Sequence, residues 1–150
     1  TPLPGRENRR ILDLAYHVFV ITEAFIDTAG GGTLAYEYYE RLPPPTLADG
    51  DAVARVGEGI HRRLAEWRAA ANAADGDRRL ATYFGEQPLA AVLERTCWHT
   101  AQHARQLESL LDQLGVPAPV RLGDEALGGL PLPAAVWDDE VDMRLDRAGT

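Results

Sequence analysis

The sequence predicts an all-α domain, and three amphipathic stretches lead to that prediction. Residues 7–29, 51–71 and 88–114 carry apolar side chains at alternating steps of three and four residues, the spacing of a helix that buries one face. Glycines directly after the first and third stretches, at 30–32 and at 115, are typical helix stops. A chain of 150 residues, 45% of them hydrophobic, suits a single domain with its own core.

Composition excludes several functional classes. The chain has 23 acidic residues against 15 Lys and Arg, whereas a surface that binds nucleic acid normally needs a basic excess. A single cysteine excludes an internal disulfide and a cysteine-rich zinc site. No apolar run approaches the roughly 20 residues of a membrane helix, and no basic and then apolar leader opens the chain. We therefore expect a cytoplasmic protein without nucleic-acid or membrane partners.

The first predicted helix, residues 7–29, has a histidine at the border of its apolar stripe. His17 lies three residues after Leu14 and four before Ile21, so it faces the same side as the stripe. Asp13 precedes His17 by one turn on that side. The stripe itself consists of Ile11, Leu14, Val18, Ile21 and Phe25.

The segment after the first helix, residues 33–50, is predicted to be irregular, and residues 43–45 are three prolines that favour an extended polyproline geometry. Its aromatic surface comes from Tyr36, Tyr38 and Tyr39. These tyrosines predict either a loop packed over the helices or a wall of a substrate site.

The second predicted helix, residues 51–71, follows Asp49, which is a suitable N-cap. His61 lies on it beside Arg62 and Arg63, and this setting favours a solvated histidine over a metal ligand. The connector that follows, residues 78–84, is predicted to be a short strand or irregular.

The third predicted helix begins in the segment 85–88, with Pro88 in its first turn, and runs to about Leu114. Its stripe is polar only in the middle, at Thr96, His99 and His103, with Gln106 at the edge. Buried imidazoles cost free energy unless they are hydrogen-bonded or ligated, so this polar interval requires a partner.

A metal ion is the partner that the spacing favours. His99 and His103 are four residues apart, which places both imidazoles on one helix face about one turn apart. His17, near the middle of another helix, can meet them in a bundle. Three imidazoles with an open fourth position are typical of a catalytic first-row metal site. The alternative is that they are separate core or surface histidines, because two histidines at this spacing often occur by chance.

The residues next to His99 and His103 narrow the range of reactions that the site could catalyse. Position 100 is Thr, where the zincin motif carries a glutamate base, and this difference argues against simple peptide hydrolysis. Cys97 points away from His99 and His103 at 100° per residue, so we interpret it as a packing or interface residue rather than a ligand or nucleophile.

Three polar residues are candidates for supporting roles. Asp13 could orient His17 as a hydrogen-bond acceptor, or it could be ordinary surface charge. Thr96 and Gln106 flank the histidine pair by about a turn and are candidates for contacting whatever fills the open position. Three basic residues could bind a substrate carboxylate, although solvated charge is the favoured interpretation for them: Arg95, Arg105 and Arg121.

Residues 116–150 are predicted to form an extended, proline-rich C-terminal arm, with one short helix near 123–127. We expect Leu130, Leu132 and Trp137 to hold this arm against the helices or against a second subunit. The last ten residues are expected to be loose.

These residues resemble a known family. The sequence LAYH at residues 14–17, together with WHTAQHARQL at residues 98–107, resembles the DinB-like superfamily of metal-binding four-helix bundles over roughly residues 5–115. The nearest likeness is to DinB-like domains associated with glutaredoxin-type proteins. It depends on PGRE at residues 4–7, ERT at 94–96, and GLPLP at 129–133 followed by WDD at 137–139.

The resemblance implies that His17, His99 and His103 bind a divalent transition metal, with zinc expected first and nickel or iron as alternatives. Related proteins include thiol-dependent S-transferases, a mycothiol-dependent maleylpyruvate isomerase and the iron-binding domain of ergothioneine-type sulfoxide synthases. The chain differs from the family in one respect, since there is no room before Arg6 for the helix that usually comes first. We expect that helix to be absent from this sequence or replaced, and a homodimer to cover the exposed apolar face.

Two functions follow as expectations. The first is a metal-dependent enzyme that activates a low-molecular-weight thiol for S-transfer to an electrophile or for thiol-dependent isomerisation. The second is a non-catalytic metal-binding or interaction module that serves a glutaredoxin-like partner. Metal-assisted hydrolysis is a third option, and it would need a carboxylate near the site.

Overall fold

The chain is mostly helical, as predicted, and a computed structural model describes its residues 2–3 and 6–137, with side chains from residue 10 onward. The long helices begin and end within a few residues of the predicted positions, except at the start of the first. None of the helices in the described part of the chain is both long and apolar enough to cross a membrane. The helices are α1 (Ile11–Ala29), α2 (Glu37–Glu40), α3 (Gly50–Ala70), α4 (Leu89–Gln113) and α5 (Asp124–Leu127).

Helix α1 begins later than predicted, because the residues before it form a strand. Strand β1 (Pro2–Leu3) pairs antiparallel with strand β2 (Arg6–Arg10), which leads directly into the helix. The carboxylate of Asp13 accepts a hydrogen bond of 2.8 Å from the backbone N–H of Arg10 and pairs with its guanidinium. This capping arrangement holds Arg10 in an extended conformation, so the predicted start at Glu7 is wrong.

A small sheet accompanies the helices, and the all-α prediction missed it. Strand β3 (Thr33–Leu34) pairs parallel with β4 (Arg79–Thr82), which pairs antiparallel with β5 (Gly85–Pro88). The alternative of a short strand within 78–84 is confirmed. The predicted helix start at 85–88 is wrong, because these residues pair with β4 and Pro88 precedes the first helical residue. Gly85 has a φ of +104°, which permits the tight turn between the two strands.

The second long helix confirms its predicted cap. The side chain of Asp49 accepts a hydrogen bond of 2.8 Å from the backbone N–H of Ala52. Helix α3 buries Val53 in a cluster with Tyr16 and Val20 of α1, and a 3-10 helix, Ala73–Asp77, follows it.

Helix α1 packs against both α3 and α4, and the core lies along these contacts. Leu14, near the start of α1, packs with Leu110, near the end of α4. Phe25, near the end of α1, lies in a cluster with Val92, near the start of α4. The two helices are therefore antiparallel, and apolar clusters close both ends of their interface. The histidines occupy the interval between these clusters.

The C-terminal arm packs partly as predicted. Gly115 ends α4 with a φ of +69°, and α5 is the expected short helix. Leu130 and Leu132 are half-buried, whereas Trp137 is 38% exposed, so its contact with a second subunit stays a prediction. The predicted loose end, along with the parts of the resemblance at 4–5 and 138–139, lies outside the described residues.

Candidate metal centre

The predicted histidine pair lies on the buried face of α4. His99 and His103 are 2% and 7% exposed, and their ring centroids are 4.7 Å apart. One turn before them, the Thr96 hydroxyl donates a 2.8 Å hydrogen bond to the carbonyl oxygen of Val92 within the same helix. The helix therefore directs two imidazoles into the interface with α1.

Helix α1 brings the third imidazole to the same place. His17 is 4% exposed, and its Nε2 lies 3.4 Å from Nε2 of His99. Its ring centroid is 4.9 Å from that of His103. One nitrogen from each ring lies within 4.8 Å of the other two, so the three side chains are close enough to hold a metal ion.

The distances can be compared with those of a real zinc site. Zinc–imidazole bonds of about 2.0–2.1 Å at tetrahedral angles place ligand nitrogens about 3.4 Å apart. The separation of the His17 and His99 nitrogens already has this value. The upper limit of 4.8 Å for the group requires at most a small inward movement of a side chain. The three imidazoles are therefore close enough to hold a metal ion.

The same geometry has a simpler interpretation. At 3.4 Å, one imidazole can donate an N–H to the other, so the His17–His99 pair can also be a buried hydrogen bond. A hydrogen bond between His17 and His99 involves two of the rings, and the third ring contacts Gln106. The observation that favours a metal is that one nitrogen from each of the three rings converges on one place.

Burial keeps one of the three imidazoles neutral. It holds the pKa of His99 well below its ordinary value of 6.5, and repulsion from His103, His17 and Arg95 in their charged forms would lower it further. A neutral imidazole is the form that binds a metal, so no proton has to be displaced from His99 at neutral pH.

Gln106 contacts a histidine rather than the interior of the site. Its Oε1 is 2.7 Å from Nδ1 of His103, and its Nε2 donates a 2.8 Å hydrogen bond to the carbonyl oxygen of Val136. Gln106 therefore lies beside the histidine cluster and contacts one of its rings, and a role toward a substrate stays a prediction. Nδ1 of His103 is occupied, which leaves Nε2 as its ligand atom.

Asp13 and Thr96 have other contacts as well. Asp13 accepts hydrogen bonds from Arg10 at the start of α1, and the idea that it orients His17 stays a prediction. The hydroxyl of Thr96 donates to its own helix, and a role toward a substrate stays a prediction in the same way.

Aromatic rings surround the three histidines. Tyr39 is buried, and its ring centroid lies 5.4 Å from that of His99 and 6.4 Å from that of His17. Tyr83 extends this aromatic group toward the surface, at 5.7 Å from Tyr39. Trp98, the residue before His99, stacks on it with 5.6 Å between the ring centroids. Of the two interpretations of the tyrosines, packing over the helices is what the structure shows, and Tyr39 is also a wall of the histidine cluster.

Arg95 lies beside this aromatic wall. Its guanidinium is 5.0 Å from the centroid of the Phe84 ring and donates a hydrogen bond of 3.3 Å to the hydroxyl of Tyr83. Together with Phe84 and Trp98 it lines a cavity of about 240 Å³. Of the three arginines considered from sequence, Arg95 is the one next to the cluster, whereas Arg105 holds the C-terminal arm and Arg121 pairs with Asp112.

Two residues lie apart from the cluster, as expected. Cys97 is exposed as a residue, but its thiol is partly covered, and this partial burial raises the pKa of the thiol, with the neighbouring charge of Glu94 acting in the same direction. His61 is exposed on α3. Among the described residues, the cluster that can hold a metal contains histidine side chains and neither cysteine nor carboxylate.

Sequence reasoning missed two residues of this region. Gln102 is 2% exposed and donates hydrogen bonds to the carbonyl oxygens of Ala135 and Val136. Its spacing from His99 and Gln106, three and four residues, was the available signal. Trp98 was noted as part of the family motif only, and its stacking on His99 had no sequence signal.

Comparison with known proteins adds no identification. Neither the protein-family models, nor the curated proteins, nor the solved structures contain a match to this chain. The likeness to the DinB-like superfamily and the four-helix-bundle assignment therefore stay predictions.

Proposed function

We propose that this protein is an enzyme that uses a divalent transition metal, bound by His17, His99 and His103, to activate a low-molecular-weight thiol. The thiolate sulfur would bond to an electrophilic carbon, either as that carbon's leaving group departs or by addition to a polarised double bond, with a proton passing to the adjacent carbon. In an isomerisation, the C–S bond would then break again, which re-forms the double bond in its new geometry and releases the thiol. One observation carries the proposal: three buried imidazoles from two helices have one nitrogen each within 4.8 Å of the others. Zinc is the first choice of metal, with nickel and iron as alternatives.

The donor set supports chemistry at an open position. Structural zinc sites usually have four protein ligands, often thiolates, whereas three protein ligands leave a position for an exchangeable molecule. A bound metal lowers the pKa of a coordinated thiol, so the thiolate is available at neutral pH. The described histidine cluster contains no carboxylate, so a hydrolytic reaction there would depend on the metal alone to activate water.

The residues of the chain would contribute in three ways. Helices α1 and α4 hold the imidazoles in a fixed geometry, and Tyr39 excludes water from one side. The charge of Arg95 acts on His99, and the same positive field would stabilise a thiolate at this position. The cavity beside Arg95 suits an electrophile that carries a carboxylate.

The fold family, the oligomeric state, the partner and the cellular location are further parts of the same proposal. A DinB-like helical bundle would place its metal ligands on facing helices, as α1 and α4 do here. A homodimer and a glutaredoxin-like partner would follow from the family resemblance. A cytoplasmic location would supply the reduced thiols that the reaction needs.

Turnover is the test of this function. Zinc-loaded protein is incubated with glutathione, mycothiol or bacillithiol and a panel of electrophiles, and conjugate or isomer is measured by mass spectrometry. We expect product formation that requires the metal and is lost in His103→Ala but retained in the control His61→Ala. Equal rates for wild type, His103→Ala and metal-free protein would refute the enzyme proposal.

The second candidate is a non-catalytic metal-binding module that serves a redox partner. The observation in its favour is the depth of the site, since each of the three histidines is at most 7% exposed. Cobalt-substituted protein separates the two functions. A thiol that reaches the metal adds a sulfur-to-cobalt absorption band, which the enzyme proposal predicts. A spectrum unchanged by thiols would favour the non-catalytic module.

A further inference from the structure

The C-terminal arm is fastened to α4 by three side chains from one helix face. Gln102 donates to the carbonyl oxygens of Ala135 and Val136, at 3.2 and 2.8 Å. Arg105 donates to the carbonyl oxygen of Pro133 at 3.0 Å and to Oε1 of Gln102 at 2.8 Å. We call residues 133–136 the docked segment.

Gln106 is the fastening residue that also contacts the histidine cluster. Its side-chain amide lies between the carbonyl oxygen of Val136 and Nδ1 of His103. The two ends of an amide are not equivalent, since the nitrogen donates and the oxygen accepts. A backbone carbonyl oxygen can only accept, so the amide nitrogen must face Val136 and the amide oxygen must face His103.

This orientation decides which nitrogen of His103 carries the hydrogen. An amide oxygen accepts a hydrogen bond, so Nδ1 of His103 must be the N–H of the ring. The lone pair of the neutral imidazole is then on Nε2, the nitrogen left to serve as the ligand. The opposite tautomer would place a hydrogen on the ligand nitrogen and would bring two acceptors together at the 2.7 Å contact.

We propose that Gln106 is a positioning residue that couples the docked segment to the metal ligand His103, by fixing the tautomer of that histidine only while the segment is in place. This inference rests on the metal site of the proposed function. Coupling between two sites is reciprocal, so docking strengthens metal binding and metal binding strengthens docking by the same factor. How firmly the docked segment binds to α4 therefore depends on whether the metal is bound.

Two substitutions at Gln106 separate positioning from packing. Glutamate keeps an acceptor for the Nδ1–H of His103 but has no donor for Val136. Leucine fills similar space and has neither. Zinc affinity is measured by competition with a chromophoric chelator. We expect Gln106→Leu to weaken zinc binding about 10- to 100-fold, the usual effect of losing a partner of a ligating histidine, and Gln106→Glu to stay within about threefold of wild type.

A matched control comes from the same helix. Gln113 is an exposed glutamine whose side chain contacts Ser109, and Gln113→Leu should leave zinc affinity unchanged. Circular dichroism confirms that each variant is folded. If Gln106 only filled space, the order would reverse, because leucine would be tolerated and a buried glutamate would not.

A second test weakens docking of the segment through Arg105 and leaves Gln106 in place. Arg105→Ala removes the contact with Pro133 and touches none of the three histidines. We expect it to weaken zinc binding about three- to tenfold, as a modest coupling free energy predicts. We also expect zinc to slow amide hydrogen exchange across residues 130–137 in wild type, and to slow it less in Arg105→Ala and Gln106→Glu.

The outcomes distinguish the two proposals. If wild type and His103→Ala bind zinc equally weakly, the metal site itself fails. If wild type binds zinc tightly, His103→Ala does not, and both Gln106 variants match wild type, the site stands and the coupling is overturned. Exchange across residues 130–137 that ignores zinc in wild type would overturn the coupling as well.

Discussion

Helices α1 and α4 meet in two regions of opposite character. Toward the end of α1, Phe25 and Ile21 pack with Val92 and Leu89 in an apolar cluster. In the middle of the interface, His17 faces His99 and His103, which are almost as deeply buried. Both regions lie between the same two antiparallel helices and are similarly buried. They therefore differ in the chemistry of their side chains.

This difference separates stability from function. Apolar side chains stabilise the fold by being removed from water, whether or not a ligand is present. Buried imidazoles cost free energy unless something binds them. The apolar region therefore holds the two helices together, and the histidine region uses the resulting rigidity to present three ligands. Four experiments test this separation, in order of expected effect.

The largest effect should come from the apolar region. Phe25 is fully buried and makes an edge-to-face contact with Trp67 at 4.8 Å between ring centroids. Phe25→Ala should lower the free energy of unfolding by about 3–5 kcal/mol, through lost burial and a residual cavity. Urea denaturation in the presence of a chelator measures it. A loss below about 1 kcal/mol would place the main stabilising contacts elsewhere.

In the histidine region, replacing His17 and His99 together should not destabilise the metal-free protein. The double variant His17→Leu, His99→Leu replaces a buried polar pair by apolar groups, a change that is often neutral or stabilising. Zinc at 100 times its dissociation constant should stabilise wild type by about 2.7 kcal/mol and the variant not at all. Thermal unfolding with zinc and with chelator provides the measurement. An unstable variant would assign the histidines a structural role.

The pH dependence of the metal-free protein should come from the histidine region. The pKa of His99 is lower in the folded protein than its ordinary value of 6.5, so the unfolded chain takes up more protons below that pH. Stability should therefore fall as the pH drops below 6.5, with a slope from this residue of at most about 1.4 kcal/mol per pH unit.

The variant His99→Leu should lose that part of the slope, whereas His61→Asn, at an exposed position, should retain it. Urea denaturation at a series of pH values, with chelator present, compares the three proteins. Identical slopes in wild type and His99→Leu would contradict the prediction.

The smallest effect should come from Cys97, which is close to the site only in sequence. Its exposed side chain lies two residues from His99 but on another face of α4. Cys97→Ser should change zinc affinity by less than about twofold, because no ligand or partner of a ligand is altered. A competition titration checks this. A tenfold loss of zinc affinity would indicate that the Cys97 thiol is a ligand of the metal.

Much of the helical framework and the histidine cluster could be predicted from the sequence. Periodic apolar residues identify α1, α3 and α4, because each helix buries one continuous face. The spacing of His99 and His103 is fixed within a single helix, so it translates directly into geometry. The position of His17 opposite them depended on the bundle hypothesis, and the structure confirms that the three are close together.

The remaining features depend on contacts between distant segments. Strand β5 is formed because β4 pairs with it, and its own four residues carry no strand pattern. The sequence left Asp13 open as an acceptor for His17 or as surface charge, and it gave no sign that Asp13 caps Arg10 at the start of α1. Gln102 binds carbonyl groups some 33 residues away, a partner that helix periodicity cannot indicate.

The central claim is that His17, His99 and His103 form one metal site. A competition titration of chelator-treated protein with zinc tests it most directly, with wild type, the three single alanine variants and His61→Ala side by side. We predict one zinc per chain in wild type and His61→Ala, and an affinity lower by on the order of 100-fold in each of the other three. Equal affinities in all five proteins would contradict the claim.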